Sequence, residues 1–156
     1  MKIGVISDTH GYLDPRVEKI FDGVDRILHA GDIGYAALIL ELEFIAPVTA
    51  VIGNNDAELT FKETESILIA GKKIIVHHIV NPYSLAEKIE NRIRRERPNL
   101  VVFGHTHKKF YDTVNGVLYF NPGYAGKPKF GAERSVAILE YDEGDKDGIR
   151  HKFIPL

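Results

Sequence analysis

The stretch Ile6-Ser7-Asp8-Thr9-His10-Gly11 decides how this chain reads. Ile3 to Ile6 is a short apolar run rich in β-branched residues, which predicts a buried strand. The run ends in an Asp and a His two residues apart, and in extended or just-turned backbone such residues point the same way. A carboxylate oxygen and an imidazole nitrogen then converge just past the strand end, where open α/β sheets bind ligands. One such pair decides little, because a turn Asp and a surface His give the same pattern.

Further along the chain the pattern recurs. Arg26 to His29 predicts a second strand stopping at Gly31-Asp32, and Val48 to Ile52 a third stopping at Gly53-Asn54-Asn55-Asp56. Ile67-Leu68-Ile69 and Ile74-Ile75-Val76 predict a hairpin that stops at His77-His78. Leu100 to Phe103 stops at Gly104-His105-Thr106-His107. Five of the 7 histidines fall in these strand-end stretches. Gly31, Gly53 and Gly104 each precede a candidate ligand, where a backbone without Cβ turns sharply.

Helices are expected between the strands. Asp14-Pro15 offers an N-cap and a first-turn proline before Val17, Ile20 and Phe21. Residues 35–45 are strong helix formers, apolar almost all round, and predict a well-covered helix. Asn81-Pro82 repeats the cap arrangement before a helix that buries Leu85, Ile89 and Ile93. Its arginines and lysine alternate with Glu87, Glu90 and Glu96, as on a solvated face. Residues 57–66 read as loop. Strands are expected over Phe110–Val114, Val117–Phe120, Val136–Tyr141 and Ile149–Ile154, with Asn115-Gly116 as a type I′ turn.

The totals bound the function. At 156 residues, 44% hydrophobic and 27% charged, the chain predicts one globular domain over residues 1–156. A net charge of −2 argues against strong nucleic-acid binding. The absence of cysteine excludes thiolate chemistry and disulfides, and no apolar run approaches a membrane span. With no leader before the first strand, a cytoplasmic location is expected.

Oxygen and imidazole ligands without sulfur suit Mn²⁺, Zn²⁺, Fe or Ni²⁺. The candidate metal ligands are Asp8, His10, Asp32, Asn54, His78, His105 and His107. They are too many for one open site and fit two ions, about 3.5–4 Å apart, sharing a carboxylate. Two divalent ions against Asp8 and Asp32 leave a surplus of about +2, which invites a phosphate. Such ions also bring a bound water toward neutral pKa.

Asp8-Thr9-His10, Gly31-Asp32, Gly53-Asn54-Asn55-Asp56, His78 and Gly104-His105-Thr106-His107 together resemble the motif set of the calcineurin-like metallophosphoesterases. The size and the Asn121-Pro122-Gly123 turn resemble the small single-domain phosphodiesterase branch. The resemblance implies an α/β fold, a four-layer α/β/β/α sandwich of two mixed β-sheets flanked by helices. It implies Asp8, His10 and His107 on one metal, Asn54, His78 and His105 on the other, and Asp32 bridging. Mn²⁺ is the expected metal, a small phosphate ester the expected substrate, and a homo-oligomer is left open. Catalysis would run through a metal-bridging hydroxide, with Asp32, Asn54 and Asn55 in the catalytic group and the Asn side chains positioning phosphoryl oxygens.

Two positions depart from the family pattern. Many relatives carry at position 55 a His taken to protonate the leaving group, which Asn55 cannot do. The fourth motif reads His77-His78-Ile79-Val80, so His77 is the alternative ligand, one residue and one strand face away. These departures keep a second reading, a non-catalytic binding or scaffold protein that retains a metal site. Elsewhere, His29 reads as a hydrogen-bonded core residue and His151 as a surface one. Asp56 reads as a turn carboxylate or a support for Asn54 or Asn55. Tyr12 and Tyr35 read as buried aromatics, and Asn121, Gly123 and Tyr124 as pocket lining or a simple turn.

Overall fold

The computed structural model describes residues 1–145 and 148–156. In chain order the elements are β1 (Lys2–Ile6), α1 (Arg16–Ile20), β2 (Arg26–His29), α2 (Ala36–Glu43), β3 (Val48–Ala50), β4 (Thr64–Ile69) and β5 (Lys72–His77). There follow α3 (Glu87–Glu96), β6 (Leu100–Val102), β7 (Phe110–Val114), β8 (Val117–Asn121), β9 (Ser135–Glu140) and β10 (Arg150–Pro155). They build two mixed 5-stranded sheets, ordered β10-β9-β1-β2-β3 and β4-β5-β6-β8-β7. β1, β2 and β3 run parallel, as do β5, β6 and β8, so their carboxyl ends share a direction within each sheet.

Strand alternation generates the layers. Ile3 and Val5 of β1, Ile74 and Val76 of β5, and Leu100 and Val102 of β6 meet in one core between the sheets. Ile6 faces the other way, into a cluster with Val17 and Phe21 near α1 and Leu38 and Leu42 of α2. Ile75, Val101 and Phe103 face a third cluster with Ile89 and Ile93 of α3. Three apolar interfaces between four layers make an α/β/β/α sandwich. The central strands, β1 and β6, are the two whose ends carry the Asp8–His10 and His105–His107 pairs.

Several local expectations change. Asn81 makes a turn, its side-chain oxygen accepting the Tyr83 N–H at 3.1 Å, and α3 starts only at Glu87. α2 is not covered all round: Leu38, Ile39 and Leu42 are buried, but Leu40 is 60% and Phe44 91% exposed, as befits an outer layer. β4 begins at Thr64, three residues inside the expected loop, because Thr64, Glu65 and Ser66 pair with His77, Val76 and Ile75 along an edge. β3 stops at Ala50, earlier than expected. Tyr35 is 42% exposed rather than buried. At the other hairpin, Asn115 and Gly116 have φ of 51° and 80°, the two left-handed positions that a type I′ turn requires. α1 starts at Arg16 with Pro15 as its N-cap, one residue later than expected, and Asp14 accepts the Arg16 N–H at 3.0 Å.

Candidate metal centre

Loops after five strands meet at one edge of the sandwich and are tied by backbone bonds. Asp8 N–H donates to Gly31 O, His10 N–H to Asp32 O, and Gly104 N–H to His78 O. Asp8, His10, Asp32, His105 and His107 all hold positive φ, between 47° and 68°. Asp and His tolerate that region better than most residues, but each still costs on the order of 1–3 kcal/mol. The three expected glycines are present for different reasons. Gly31 has φ of 101°, a turn that favours glycine, whereas Gly53 and Gly104 are there for space. A Cβ on Gly53 would lie 2.1 Å from Asp32 Oδ1, and one on Gly104 2.6 Å from Asp8 Oδ2.

Two carboxylates lie at the middle of the cluster, both buried. Asp8 Oδ2 accepts the Ser7 hydroxyl at 2.7 Å and the His105 N–H at 3.1 Å. Its Oδ1 accepts nothing, and lies 3.3 Å from His107 Nε2 and 3.9 Å from both His10 Nε2 and His78 Nε2. Asp32 Oδ1 accepts the Asn55 backbone N–H at 3.0 Å, and Oδ2 accepts the Asn55 side-chain amide at 2.9 Å. Asp32 Oδ2 also lies 3.3 Å from His78 Nε2 and 3.7 Å from His10 Nε2. Around this pair sit two edge-to-face imidazole pairs, His10 with His107 at 5.5 Å and His78 with His105 at 5.4 Å between ring centres. Asn54 Oδ1 reaches His105 Nδ1 at 3.2 Å. All seven candidate ligands are therefore brought together.

Neighbouring side chains fix these groups. His78 Nδ1 lies 2.7 Å from Ala30 O, which can only accept, so the ring proton is on Nδ1 and Nε2 presents a lone pair. His77, on the opposite face, bonds Thr64 through Nδ1 at 2.8 Å. β5 alternation separates the two rings: His78 continues the Ile74–Val76 face and His77 the Ile75 face. Burial raises the Asp8 pKa, with the neighbouring Asp32 charge adding to it against the opposing Ser7 bond and imidazoles. Burial also works against charged Asp32, yet the two Asn55 N–H bonds hold its carboxyl below the ordinary range. Burial, then the nearby Lys129 ammonium, keeps His107 toward its neutral, ligating form. His29 is fully buried and pushed down to about 3. Its Nδ1 accepts the Gly31 N–H, so Nε2 donates to Thr9 Oγ1 at 3.0 Å and Thr9 in turn donates to Ile33 O.

Three supports were not legible as such in the sequence. Asp56 accepts the N–H groups of Ile33, Gly34 and Gly53, tying the ends of β2 and β3. Asn121 is buried and donates its amide to Gly104 O and Thr106 Oγ1, pinning the turn that carries His105. Tyr124 stacks on His107, ring centres 4.8 Å apart.

At the buried centre Asp8 Oδ1 and His78 Nε2 lie 3.9 Å apart, and neither has a hydrogen-bond partner among the described residues. Leaving such atoms unpaired is costly, and a cation satisfies both at once. Two groups, Asp8–His10–His107 and Asp8–Asp32–His78, each place their ligand atoms within 4.8 Å of one another and could hold a metal ion. Fold and cluster describe a layered α/β protein with a candidate metal site at one edge.

The chain belongs to the calcineurin-like phosphoesterase superfamily, whose domain matches residues 1–144. It is 32% identical over 163 residues to a probable metallophosphoesterase of Methanocaldococcus jannaschii, covering 100% of this chain and 82% of that one. It is 31% identical over 144 residues to a phosphodiesterase of the same organism, covering 79% and 83%. Among solved structures, one described in a structural and functional characterization of a novel archaeal phosphodiesterase superposes with a TM-score of 0.75, 26% identity and full coverage of both chains. Wild-type Vps29 complexed with Zn²⁺ from Entamoeba histolytica superposes with a TM-score of 0.75, at 23% identity and 99% coverage of each. That second likeness is one of fold. No helix among the described residues is long and apolar enough to cross a membrane.

Proposed function

We propose that residues 1–156 form one domain that binds two divalent ions, Mn²⁺ by preference, and hydrolyses phosphodiesters in the cytoplasm. The observation that carries this reading is the pair of unpartnered acceptors, Asp8 Oδ1 and His78 Nε2, set between two imidazole pairs. Asp8, His10 and His107 would hold one ion, Asn54, His78 and His105 the other. Asp32 would be shared, since its Oδ2 lies near both His10 and His78. Asp8 Oδ1 lies near three imidazoles, those of His107, His10 and His78. Bound ions supply Lewis acidity toward phosphoryl oxygens and a water of near-neutral pKa.

The chain's own residues do the rest. Asn55 donates one of its two side-chain N–H groups to Asp32 and so orients that carboxylate, with the second N–H left to position a phosphoryl oxygen. Neither His29, buried and bonded to Thr9, nor His77, bonded to Thr64, faces the centre to protonate a departing oxygen. Esters with acidic leaving groups are therefore the better substrates. Two measurements on Mn²⁺-loaded protein test the reading: metal content and hydrolysis of bis-(p-nitrophenyl) phosphate. Two ions per chain and turnover that Asp32→Asn abolishes are expected. One ion at saturation refutes the paired centre, and two ions without turnover favour the alternative of a non-catalytic binding or scaffold protein that retains a metal site.

A further inference from the structure

We propose that the cavity beside His105 takes a flat aromatic group esterified to the phosphorus, which makes aryl phosphodiesters the preferred substrate class. The inference rests on the phosphodiesterase reading and narrows it. The cavity measures about 440 Å³; Val80, Pro82, Tyr83, Phe103 and Phe110 make its apolar wall, and His105, Lys108 and Lys109 also line it. The Phe110 ring meets Tyr83 at 6.2 Å and 74° and Phe103 at 5.7 Å and 62°, a run of edge-to-face contacts. Aromatic walls with few polar groups are the usual lining for a flat apolar ligand. Ile79 and Tyr83 are exposed at the mouth, so a ring entering there removes their apolar surface from water.

Position ties this cavity to the centre. Its wall continues directly from two candidate ligands, His78 into Ile79-Val80 and His105 into Thr106. His105 itself faces Asn54 and His78 on one side and the cavity on the other. A group bonded to a phosphorus held at the centre needs only to pass the His105 ring to enter. The neighbouring cavity on the His107 side shares Lys108 and Lys109 with it but has no phenylalanine pair, and there Lys129 lies 4.4 Å over the Tyr124 ring.

Chemistry points the same way. No imidazole outside the candidate ligand set faces the centre, since His29 and His77 are bonded elsewhere and His151 stacks on Tyr111. The leaving oxygen must then depart carrying its electron pair. In the balanced step, a water oxygen bonds to phosphorus while the bond from phosphorus to the aryl oxygen breaks. The aryl oxygen leaves as aryloxide. One water proton stays on the new phosphate oxygen, and the other passes to solvent. An aryl group stabilises that oxyanion, and the aromatic cavity is built to receive such a group.

The test separates recognition of the ring from acidity of the leaving group. Mn²⁺-loaded protein is given two methyl phosphodiesters of matched leaving-group pKa, one aryl and one fluoroalkyl. The aryl ester should show a kcat/KM roughly tenfold higher, the size expected of a modest apolar contact. Tyr83→Ala should erase that preference through KM, and Tyr83→Phe, which keeps the ring, should restore it. A readout independent of turnover is the amide NMR spectrum of Zn²⁺-loaded protein. Phenylphosphonate should shift Ile79, Val80, Tyr83 and Phe110, and methylphosphonate should not. Equal turnover of the two esters, unchanged by Tyr83→Ala, overturns the cavity assignment and leaves the phosphodiesterase reading standing. Shifts that are the same for both phosphonates overturn it too. Turnover of neither ester overturns both readings.

Discussion

Replacing Asp56 by Ala removes the acceptor for three backbone N–H groups, those of Ile33 at 2.9 Å, Gly34 at 3.1 Å and Gly53 at 2.8 Å. The carboxylate is buried at 2% exposure, so water cannot simply take its place. A buried N–H left without a partner costs about 1–3 kcal/mol. Taking about 2 kcal/mol for buried Ile33 and about 1 kcal/mol each for the part-buried bonds of Gly34 and Gly53 gives a loss of about 4 kcal/mol. For a domain of this size that corresponds to a fall in Tm of roughly 8–16 °C. Asp56→Asn should lose about half as much, because one amide oxygen can still serve Ile33 and Gly53 while the NH₂ opposes Gly34. The assay is thermal melting followed by circular dichroism, with Asp22→Ala, an exposed carboxylate, as the control expected to stay within about 0.5 kcal/mol. A Tm change below about 3 °C for Asp56→Ala, or an Asn variant as damaged as the Ala one, would refute the reasoning. The bonds would then be geometry without energy.

Two further outcomes follow from the same loops. Gly53→Ala would put a Cβ 2.1 Å from Asp32 Oδ1 and 2.3 Å from its backbone N, so it should cost about 1–3 kcal/mol and expel metal; wild-type metal content in that variant would contradict it. Asp14 is held well below the usual carboxylate range, first by the Arg16 side-chain hydrogen bonds and also by Arg134. A depressed folded pKa gives stability that is complete above the ordinary value near ~4 and is lost as pH falls below it. Asp14→Asn should therefore flatten the decline of stability between about pH 4 and pH 2, and urea midpoints across that range would show it.

What could be read from the sequence was whatever period and strand ends encode. The continuous apolar runs Ile3–Ile6 and Leu100–Phe103 marked two buried strands, which the structure places with side chains in clusters on both faces, and strand alternation separates His77 from His78. The residues at those strand ends do converge. Layering was not legible from alternation, because it takes long-range contacts to show that Val5 and Val102 share one core while Ile6 and Phe103 lie on opposite outer faces; the family resemblance supplied it. Asp56 read as a turn carboxylate or a support for Asn54 or Asn55, and its actual partners escaped notice because two of the three, Ile33 and Gly34, lie more than twenty positions away. Gly53 and Gly104 looked like turn glycines, although the side chains that exclude a Cβ there come from other strand ends. The exposed Leu40 and Phe44 misled for the opposite reason: composition alone does not tell an outer helix from an inner one.

The costs of this fold are concentrated where its chemistry would be. Five of the candidate ligand residues hold positive φ, two buried acceptor atoms face each other without a donor, and burial disfavours the charge on Asp8. Sequence-distant bonds offset those costs, among them the Asp56 ties, the Asn55 clamp on Asp32 and the Asn121 amide under the His105 turn. A scaffold that needed only its outer surface would gain stability by relaxing Asp8 to Asn and His105 to an ordinary extended conformation. Retention of the strained, unsaturated arrangement makes sense if a ligand that binds only the folded state restores the balance. At a hundred times its Kd such a ligand contributes about 2.7 kcal/mol, comparable to the strain of one or two of these residues. Metal affinity and fold stability are, on this argument, one linked quantity in this protein, and a variant that relaxes the strain should become more stable and bind metal less tightly.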